Sequence, residues 1–213
     1  MLEATKIFSS NLPPKVVERY YFCLVMLFIL IFIILFRFYH NILLEACRRN
    51  FDETKTVNVH YFQALKKAIY KPAAFFKGII FPIVQDPHTT LKEASVYCSV
   101  LSNTSIPALH AAAALMKIST GEYAGPKFMI IRTLLDKKFA LPTKTISLIF
   151  DYFCTFGRSE IPLTVIWHQA LLVFVQRYKS EFDEDRKKHV RELVSLQNHA
   201  MISPEIIREI ESA

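Results

Sequence analysis

Residues 64–79 read ALKKAIYKPAAFFKGI and mix lysines with aromatic and small apolar side chains around Pro72. Proline is well accepted in the first turn of an α-helix, so Pro72 predicts that a helix begins there. Lys67 and Lys71 are four residues apart and are expected to share one helix face. A soluble core does not need clustered positive charge, whereas an anionic partner attracts it. The lysines of this stretch are Lys66, Lys67, Lys71 and Lys77.

Apolar residues at helical spacing continue on both sides of this stretch. Upstream, residues 59–70 place Phe62, Leu65 and Ile69 three or four positions apart, which is typical of an amphipathic helix. Downstream, Pro82 is expected to end or kink the next helix, because proline removes a backbone hydrogen bond.

Helix signals also cover the rest of the chain after residue 41. Residues 41–49 place Ile42, Leu43 and Ala46 on one stripe. No segment has the alternating period of a strand over a useful length, so the sequence predicts an all-α fold. Capping residues, prolines and apolar spacing predict further helices that begin near Thr90, Ser105, Phe128, Pro142, Pro162, Asp183 or Asp185, and Ser203.

Composition limits the functions that the chain can have. The 213 residues are enough for one domain with a sizeable core, and the net charge of +7 suits nucleic acid, an anionic membrane surface or an ordinary basic protein. The chain has 4 glycines, and none of them forms a dinucleotide-binding loop, a phosphate-binding loop or a nucleophile elbow. The sequence therefore predicts no enzyme and no cofactor.

The cysteines are too far apart for a metal or redox pair. No C-x-x-C spacing occurs, and each cysteine has apolar neighbours, which predicts buried free thiols in a reducing compartment. They are Cys23, Cys47, Cys98 and Cys154.

The histidines and the acidic residues are interpreted as structural. His168 follows Trp167 on an apolar helix with no nucleophile placed by sequence, so a satisfied core or groove histidine is favoured over a catalytic base, and His110 is interpreted in the same way. An acidic cluster favours the solvated start of a helix over a metal site. Its members are Glu181, Asp183, Glu184 and Asp185. No catalytic residue and no metal ligand is predicted.

Residues 64–79 belong to a series of short blocks that recur in order along the chain. Together these blocks resemble the bystin family of eukaryotic small-subunit ribosome assembly factors, and several blocks in the right order are more specific than any one. The other blocks are Ala4-Thr5-Lys6-Ile7-Phe8, Ser105-Ile106-Pro107, Leu109-His110, Leu134-Leu135-Asp136-Lys137-Lys138, Ala140-Leu141-Pro142, Trp167-His168-Gln169, Val175-Gln176-Arg177-Tyr178-Lys179 and Ser203-Pro204-Glu205-Ile206.

The resemblance implies both a fold and a function. The implied fold is a HEAT-like array of stacked antiparallel helix pairs. The implied function is a non-enzymatic factor needed for 18S rRNA processing and small-subunit maturation. Its implied partners are small-subunit pre-rRNA with associated snoRNA particles, small-subunit ribosomal proteins and other assembly factors. The implied location is the nucleolus and nucleus, with shuttling to the cytoplasm.

Three basic sets are candidates for RNA or partner binding, against the alternative of a plain solvated face. Arg177 and Lys179 flank Tyr178, a pairing that RNA contacts use because phosphate neutralisation and base stacking combine there. With the resemblance added, contact with RNA phosphates or an acidic protein is favoured for at least one set. The sets are Lys66, Lys67, Lys71 and Lys77; Lys137 and Lys138; and Arg177, Tyr178 and Lys179.

An apolar run, residues 20–38, departs from the family pattern. Residues 20–36 carry no charge and reach the lower length limit of a membrane-spanning helix. Deleting residues 22–40 joins Tyr21 to Asn41 and restores the family's order of an arginine, two aromatic residues, an asparagine and an apolar helix. Three interpretations stay open: translated non-coding sequence such as a retained intron, which is favoured; a membrane anchor; and a buried hydrophobic helix.

The start of the chain is a second departure from the family pattern. The family has a charged N-terminal region and further helices before the block at residues 4–8. Residues 1–213 are therefore expected to form one N-terminally truncated, bystin-like helical domain. The alternatives to an RNA-binding factor are a helical protein–protein adaptor without RNA contact and a single-pass membrane-anchored protein, although membrane association is not the favoured interpretation.

Overall fold

The computed structural model describes residues 13–157, 159 and 163–212. Within these ranges the regular elements are helical and no strand occurs, which confirms the predicted all-α fold. The block at residues 4–8 and Pro162, the expected start of one helix, lie outside the described residues.

The helices are connected by short turns. Two π-helical segments, Tyr39–Leu44 and Phe76–Ile80, and one 3₁₀ turn, Lys179–Glu181, adjoin α-helices. The α-helices in chain order are α1 (Pro14–Phe38), α2 (Glu45–Thr54), α3 (Val59–Ala68), α4 (Pro72–Phe75), α5 (Phe81–Gln85), α6 (Leu91–Ser102), α7 (Ala108–Ile118), α8 (Gly125–Asp136), α9 (Thr143–Cys154), α10 (Val165–Tyr178), α11 (Glu184–Leu196) and α12 (Ser203–Glu211).

Alternate helices pack side by side, as in a stacked helical array. Helix α8 packs between α6 and α10, α10 also contacts α12, and α7 packs against α9 in the neighbouring layer. Aromatic rings fill the space between the layers, and the centre of the Phe153 ring lies 5.8 Å from that of Trp167 and 5.7 Å from that of Phe128. Each pair buries the apolar face that its neighbour leaves open, which is how helical repeats are stabilised.

Local capping explains where several helices begin. The Thr90 hydroxyl accepts a hydrogen bond from the Glu93 backbone N–H at 3.2 Å, and the Asp183 carboxylate accepts one from the Arg186 N–H at 3.2 Å. These bonds satisfy N–H groups that the first helical turn leaves free. The predicted starts of α6 and α11 are confirmed, with Asp183 rather than Asp185 as the cap.

The segment around Pro72 differs from the sequence prediction in two ways. Helix α3 ends at Ala68, and Lys71 lies in the turn before α4, so Lys67 and Lys71 do not share a helix face. Pro72 does begin α4, as predicted. Pro82 does not end the helical stretch that begins at Pro72, because the stretch changes from π to α geometry just before it and Pro82 lies in the first turn of α5. A kink at this position stays a prediction.

The buried stripe after residue 41 is also shifted by one position. Leu43, Leu44 and Cys47 are buried, whereas Ile42 is exposed. The π-helical segment Tyr39–Leu44 explains the shift, because its wider turn rotates the following residues relative to an α-helix.

The apolar run lies mainly in α1 and is exposed to solvent over most of its length. Side chains from Tyr20 to Ile31 are exposed. In the described chain, one helical stretch, Glu18–Thr54, is long and apolar enough to cross a membrane, and no part of its most apolar window is buried. The interpretation of a helix buried in this chain's own core is therefore wrong. The anchor and the non-coding insert stay predictions.

The C-terminal end of the apolar run packs on the domain. Phe32 and Leu35 are partly buried against the core, and Tyr39 is buried. The two π-helical segments contact each other, and a Cβ atom added at Gly78 would lie only 2.9 Å from the Cβ of Tyr39. This close approach requires a residue without a side chain, so Gly78 fixes where α1 joins the domain.

Candidate nucleic-acid interface

A groove lies between the end of α3 and the loop that joins α6 to α7. It has a volume of about 730 Å³, which is within the range of ligand-binding clefts. Its loop wall contains Ser105-Ile106-Pro107, one of the sequence blocks that carry the family resemblance. The lining residues are Lys66, Lys67, Ile69, Tyr70, Pro72 and residues 103–107.

The lysines of residues 64–79 lack carboxylate partners in the described part of the chain. Among the described residues, no ion pair includes Lys66, Lys67, Lys71 or Lys77. The Lys66 ammonium lies 5.0 Å from the centre of the Phe62 ring, a cation–π contact that leaves the charge unneutralised. Lys67 and Lys71 are exposed. Positive charge without a counter-charge beside a groove favours an anionic ligand.

The apolar run contacts part of the same lysine set, although Lys71 and Lys77 stay exposed. The Lys77 ammonium lies 5.1 Å from the centre of the Phe32 ring, which belongs to the run. A smaller groove of about 190 Å³ separates the run from the domain. Its lining residues are Phe28, Ile31, Phe32, Leu35, Lys71, Pro72, Ala73, Ala74 and His110.

The second basic set lies next to the wall of the larger groove. The Lys137 ammonium donates a hydrogen bond to the Ser102 carbonyl at 3.0 Å, one residue before Asn103 in the groove wall. Burial lowers the pKa of Lys137 below its usual value. Lys138 follows with a positive φ of 58° and is exposed. Sequence-distant lysines are thus brought to one region of the surface.

The third basic set makes contacts between helices, and the prediction that Tyr178 stacks on a base is wrong. Tyr178 is 5 % exposed and its hydroxyl donates to the Phe139 carbonyl at 2.9 Å, so its ring cannot stack on a base. Burial raises the pKa of Tyr178 to about 12. Arg177 pairs with Asp136 at 2.8 Å, and Lys179 pairs with Glu209 at 3.0 Å. This set joins α10 to α8 and α12.

The two histidines have different environments. His168 is buried, with Nδ1 3.0 Å from the Thr164 carbonyl and Nε2 3.2 Å from the Gln197 carbonyl, which confirms a core histidine with hydrogen-bond partners. The single N–H of a neutral ring donates to one of these two carbonyls. His110 is partly buried, and its Nδ1 has no hydrogen-bond partner in the described part of the chain. His110 lines the smaller groove, so the interpretation of a core or groove histidine holds for its location, but its Nδ1 is not satisfied by the described residues.

The cysteines differ in how deeply they are buried. Burial raises the pKa of Cys47 and of Cys98 to about 11, so both are neutral thiols at physiological pH. Cys154 is partly buried, and its pKa is also raised to about 11. Cys23 is exposed on α1, so the prediction of burial is wrong there.

Sequence reasoning missed Tyr70. Tyr70 lies in the turn after α3, and the residue is 86 % exposed at the groove. Its position before Lys71 and Pro72 was the available signal, because proline stops α3 from continuing and so frees the residues just before it.

The fold places the protein in the class of all-helical arrays of stacked helices. Its surface carries a groove lined by Lys66 and Lys67, which have no carboxylate partner among the described residues. The Bystin family model matches residues 33–213, which is most of the chain. The chain belongs to the bystin family, which confirms the resemblance. The matched region begins inside the apolar run.

Similarity to curated relatives also places the chain in the bystin family. The chain is 41 % identical over 212 residues to a Caenorhabditis elegans protein described as "Uncharacterized protein byn-1", a match that covers 100 % of this chain and 43 % of the relative. It is 40 % identical over 213 residues to "Bystin" of Homo sapiens and to "Bystin" of Drosophila melanogaster, covering 100 % of this chain and 45 % of each relative. The chain therefore spans less than half the length of these relatives.

Proposed function

We propose that this chain is the helical part of a non-enzymatic assembly factor for the small ribosomal subunit, and that it binds small-subunit pre-rRNA. Family membership supports ribosome assembly as the process. RNA as the ligand is carried by one observation: Lys66 and Lys67 line an open groove, and no ion pair among the described residues includes either of them.

Binding through many weak contacts is the proposed mechanism. Each lysine that neutralises a phosphate releases a counterion, so a surface with several lysines binds RNA in a salt-dependent way. The proposed partners are pre-rRNA with its snoRNA particles, small-subunit ribosomal proteins and other assembly factors. The proposed site of action is the nucleolus and nucleus, with passage to the cytoplasm.

Charge reversal at the groove tests this function. The combined change of Lys66, Lys67 and Lys71 to glutamate should weaken binding of the full chain to a small-subunit rRNA fragment while its helicity is retained. The slope of log binding constant against log salt concentration should fall by about one unit for each lost phosphate contact. Lys66 and Lys67 line the larger groove, and Lys71 lines the smaller one beside it. A matched control changes Lys92, Lys117 and Lys188, which line neither groove, to glutamate.

The two outcomes separate RNA binding from protein binding. The control has the same net charge as the groove variant, so a loss of affinity in the groove variant alone assigns binding to the groove. Unchanged affinity and an unchanged salt slope in the groove variant would contradict RNA binding there. A helical protein–protein adaptor would then be the better description.

A second candidate function is membrane attachment, which the exposed apolar run favours. Helix α1 has 25 residues, and at about 1.5 Å per residue it is long enough to reach across a bilayer core. Its last turns, however, pack on the domain through Phe32 and Leu35. Extraction of the protein from cell membranes by detergent, but not by high salt or alkali, would support an anchor, and extraction by salt alone would exclude one.

A further inference from the structure

We propose that the groove beside Tyr70 binds an unpaired nucleotide of RNA, whose base stacks on the Tyr70 ring while its flanking phosphates lie against Lys66 and Lys67. This inference rests on the RNA binding proposed above. It adds the class of RNA, which is a single-stranded segment and not a continuous duplex.

Tyr70 differs from every other tyrosine of the domain. The exposed fraction of this residue, 86 %, is the largest among the exposed large apolar residues of the described chain. The other tyrosines outside the apolar run are buried or partly buried. A single exposed apolar residue is ordinary on a protein surface, but Tyr70 lies at the edge of a groove that two unpaired lysines also line. An aromatic ring and positive charge at one groove are the two parts of a single-strand binding site.

The backbone holds Tyr70 in place before any ligand arrives. The Tyr70 N–H donates to the Lys67 carbonyl at 3.2 Å, and the Lys71 N–H donates to the Ala68 carbonyl at 3.1 Å. Ile69 on one side is buried, and Pro72 on the other side begins α4. A side chain with few rotatable bonds on a fixed backbone loses little conformational entropy on binding, which favours its use as a contact.

The opposite wall offers polar groups at the same groove. Thr104 and Asn103 are held by hydrogen bonds to α6, from the Thr104 hydroxyl to the Val100 carbonyl at 2.7 Å and from the Asn103 amide to the Ser99 carbonyl at 2.9 Å. Ser105 between this pair and Ile106 is exposed. Because the Thr104 hydroxyl donates its proton to α6, its oxygen can accept from a ribose hydroxyl, and the exposed Ser105 hydroxyl can donate to a phosphate. The tyrosine suits a base.

The chemistry of the groove favours single-stranded RNA over its rivals. In a duplex the faces of the bases are stacked inside the helix, so none is free to lie on Tyr70. An acidic peptide would pair with Lys66 and Lys67 but would leave the ring without a matching planar group. Unpaired nucleotides supply both the negative charge and the planar face.

Substitutions at Tyr70 test the inference in the full chain. The probe is a fluorescein-labelled 12-nucleotide RNA, used as a single strand and annealed to its complement. Tyr70→Ala should weaken binding of the single strand about 5- to 150-fold, the range of one lost base stack, and leave duplex binding unchanged. Tyr70→Phe should bind like the wild type because it keeps the ring. Tyr21→Ala removes an exposed tyrosine outside the groove and is the matched control.

The outcomes distinguish this inference from the function on which it rests. If the lysine charge reversal weakens RNA binding and Tyr70→Ala does not, base stacking is overturned and RNA binding stands. If neither variant changes the affinity, both fail. Equal losses for the single strand and the duplex would also overturn the inference, as would oligoglutamate binding as tightly as the single strand.

Discussion

Among single residues, Arg48 makes the contacts that join the first part of the domain to the helical array. Its guanidinium lies 2.9 Å from the Asp86 carboxylate and 3.2 Å from the Glu93 carboxylate, which links α2 to the start of α6. Glu93 is buried, and this burial raises the pKa of its carboxyl group despite the nearby arginine. A charged Glu93 therefore depends on Arg48 to offset the loss of its hydration.

Arg48→Met should lower the free energy of unfolding by about 1–3 kcal/mol at pH 7, because it leaves Glu93 buried without its partner. A carboxyl group whose pKa is raised in the folded state contributes stability at pH below its unfolded pKa and loses it as pH rises through the folded pKa. Urea unfolding should therefore show a smaller deficit at pH 5 than at pH 7. An equal deficit at both pH values would show that Glu93 does not cause it.

Tyr70 and Tyr178 show how far the sequence predicts which single residues are exposed for binding. Both are aromatic residues next to lysine or arginine, and the sequence pattern favoured Tyr178 as the stacking residue. The structure buries Tyr178 at the end of α10 and exposes Tyr70 in the turn after α3. Adjacent charge predicts an anionic surface, but the direction of a side chain depends on where its helix ends and what packs beside it.

Helix boundaries were predictable where a local signal sets them. The Thr90 and Asp183 caps and the proline at the start of α4 act through atoms within a few residues, so sequence alone locates them. The two π-helical segments were not predicted. Their contact depends on Tyr39 and Gly78, which are far apart in sequence and meet only in the folded domain.

Deletion of residues 22–40 should make the protein more soluble and keep the domain folded. The exposed apolar side chains of α1 are removed, and such patches favour aggregation. Because the deletion removes 19 residues, Tyr20 takes the place of Tyr39, and a tyrosine still faces Gly78. Circular dichroism and sedimentation measure helicity and solubility.

A second variant tests whether Tyr20 takes the place of Tyr39 against Gly78 in the shortened chain. Adding Gly78→Val to the deletion should lower the melting temperature, because the new side chain meets the tyrosine that takes the place of Tyr39. If the shortened chain unfolds while the full chain is stable in membranes, the apolar run belongs to the protein and acts as an anchor.

For the whole molecule, the proposed RNA-binding lysines lie at the surface without a structural role in the described chain, whereas other polar groups singled out in the sequence hold helices together. His168 is held between two carbonyl oxygens inside the array, and the Arg177 set joins helices to one another. The lysines at the groove have no such structural contact with a carboxylate in the described residues. Function by binding therefore predicts damage from charge reversal at the groove and not from any single histidine.

The most direct test of the account is the maturation of rRNA after depletion of this protein from the cells that make it. Northern blots should show that precursors of the small-subunit rRNA accumulate while large-subunit rRNA matures normally. The wild type and the Lys92, Lys117 and Lys188 control should restore processing. The Lys66, Lys67 and Lys71 charge reversal should not. Normal processing of small-subunit rRNA in depleted cells would contradict the account.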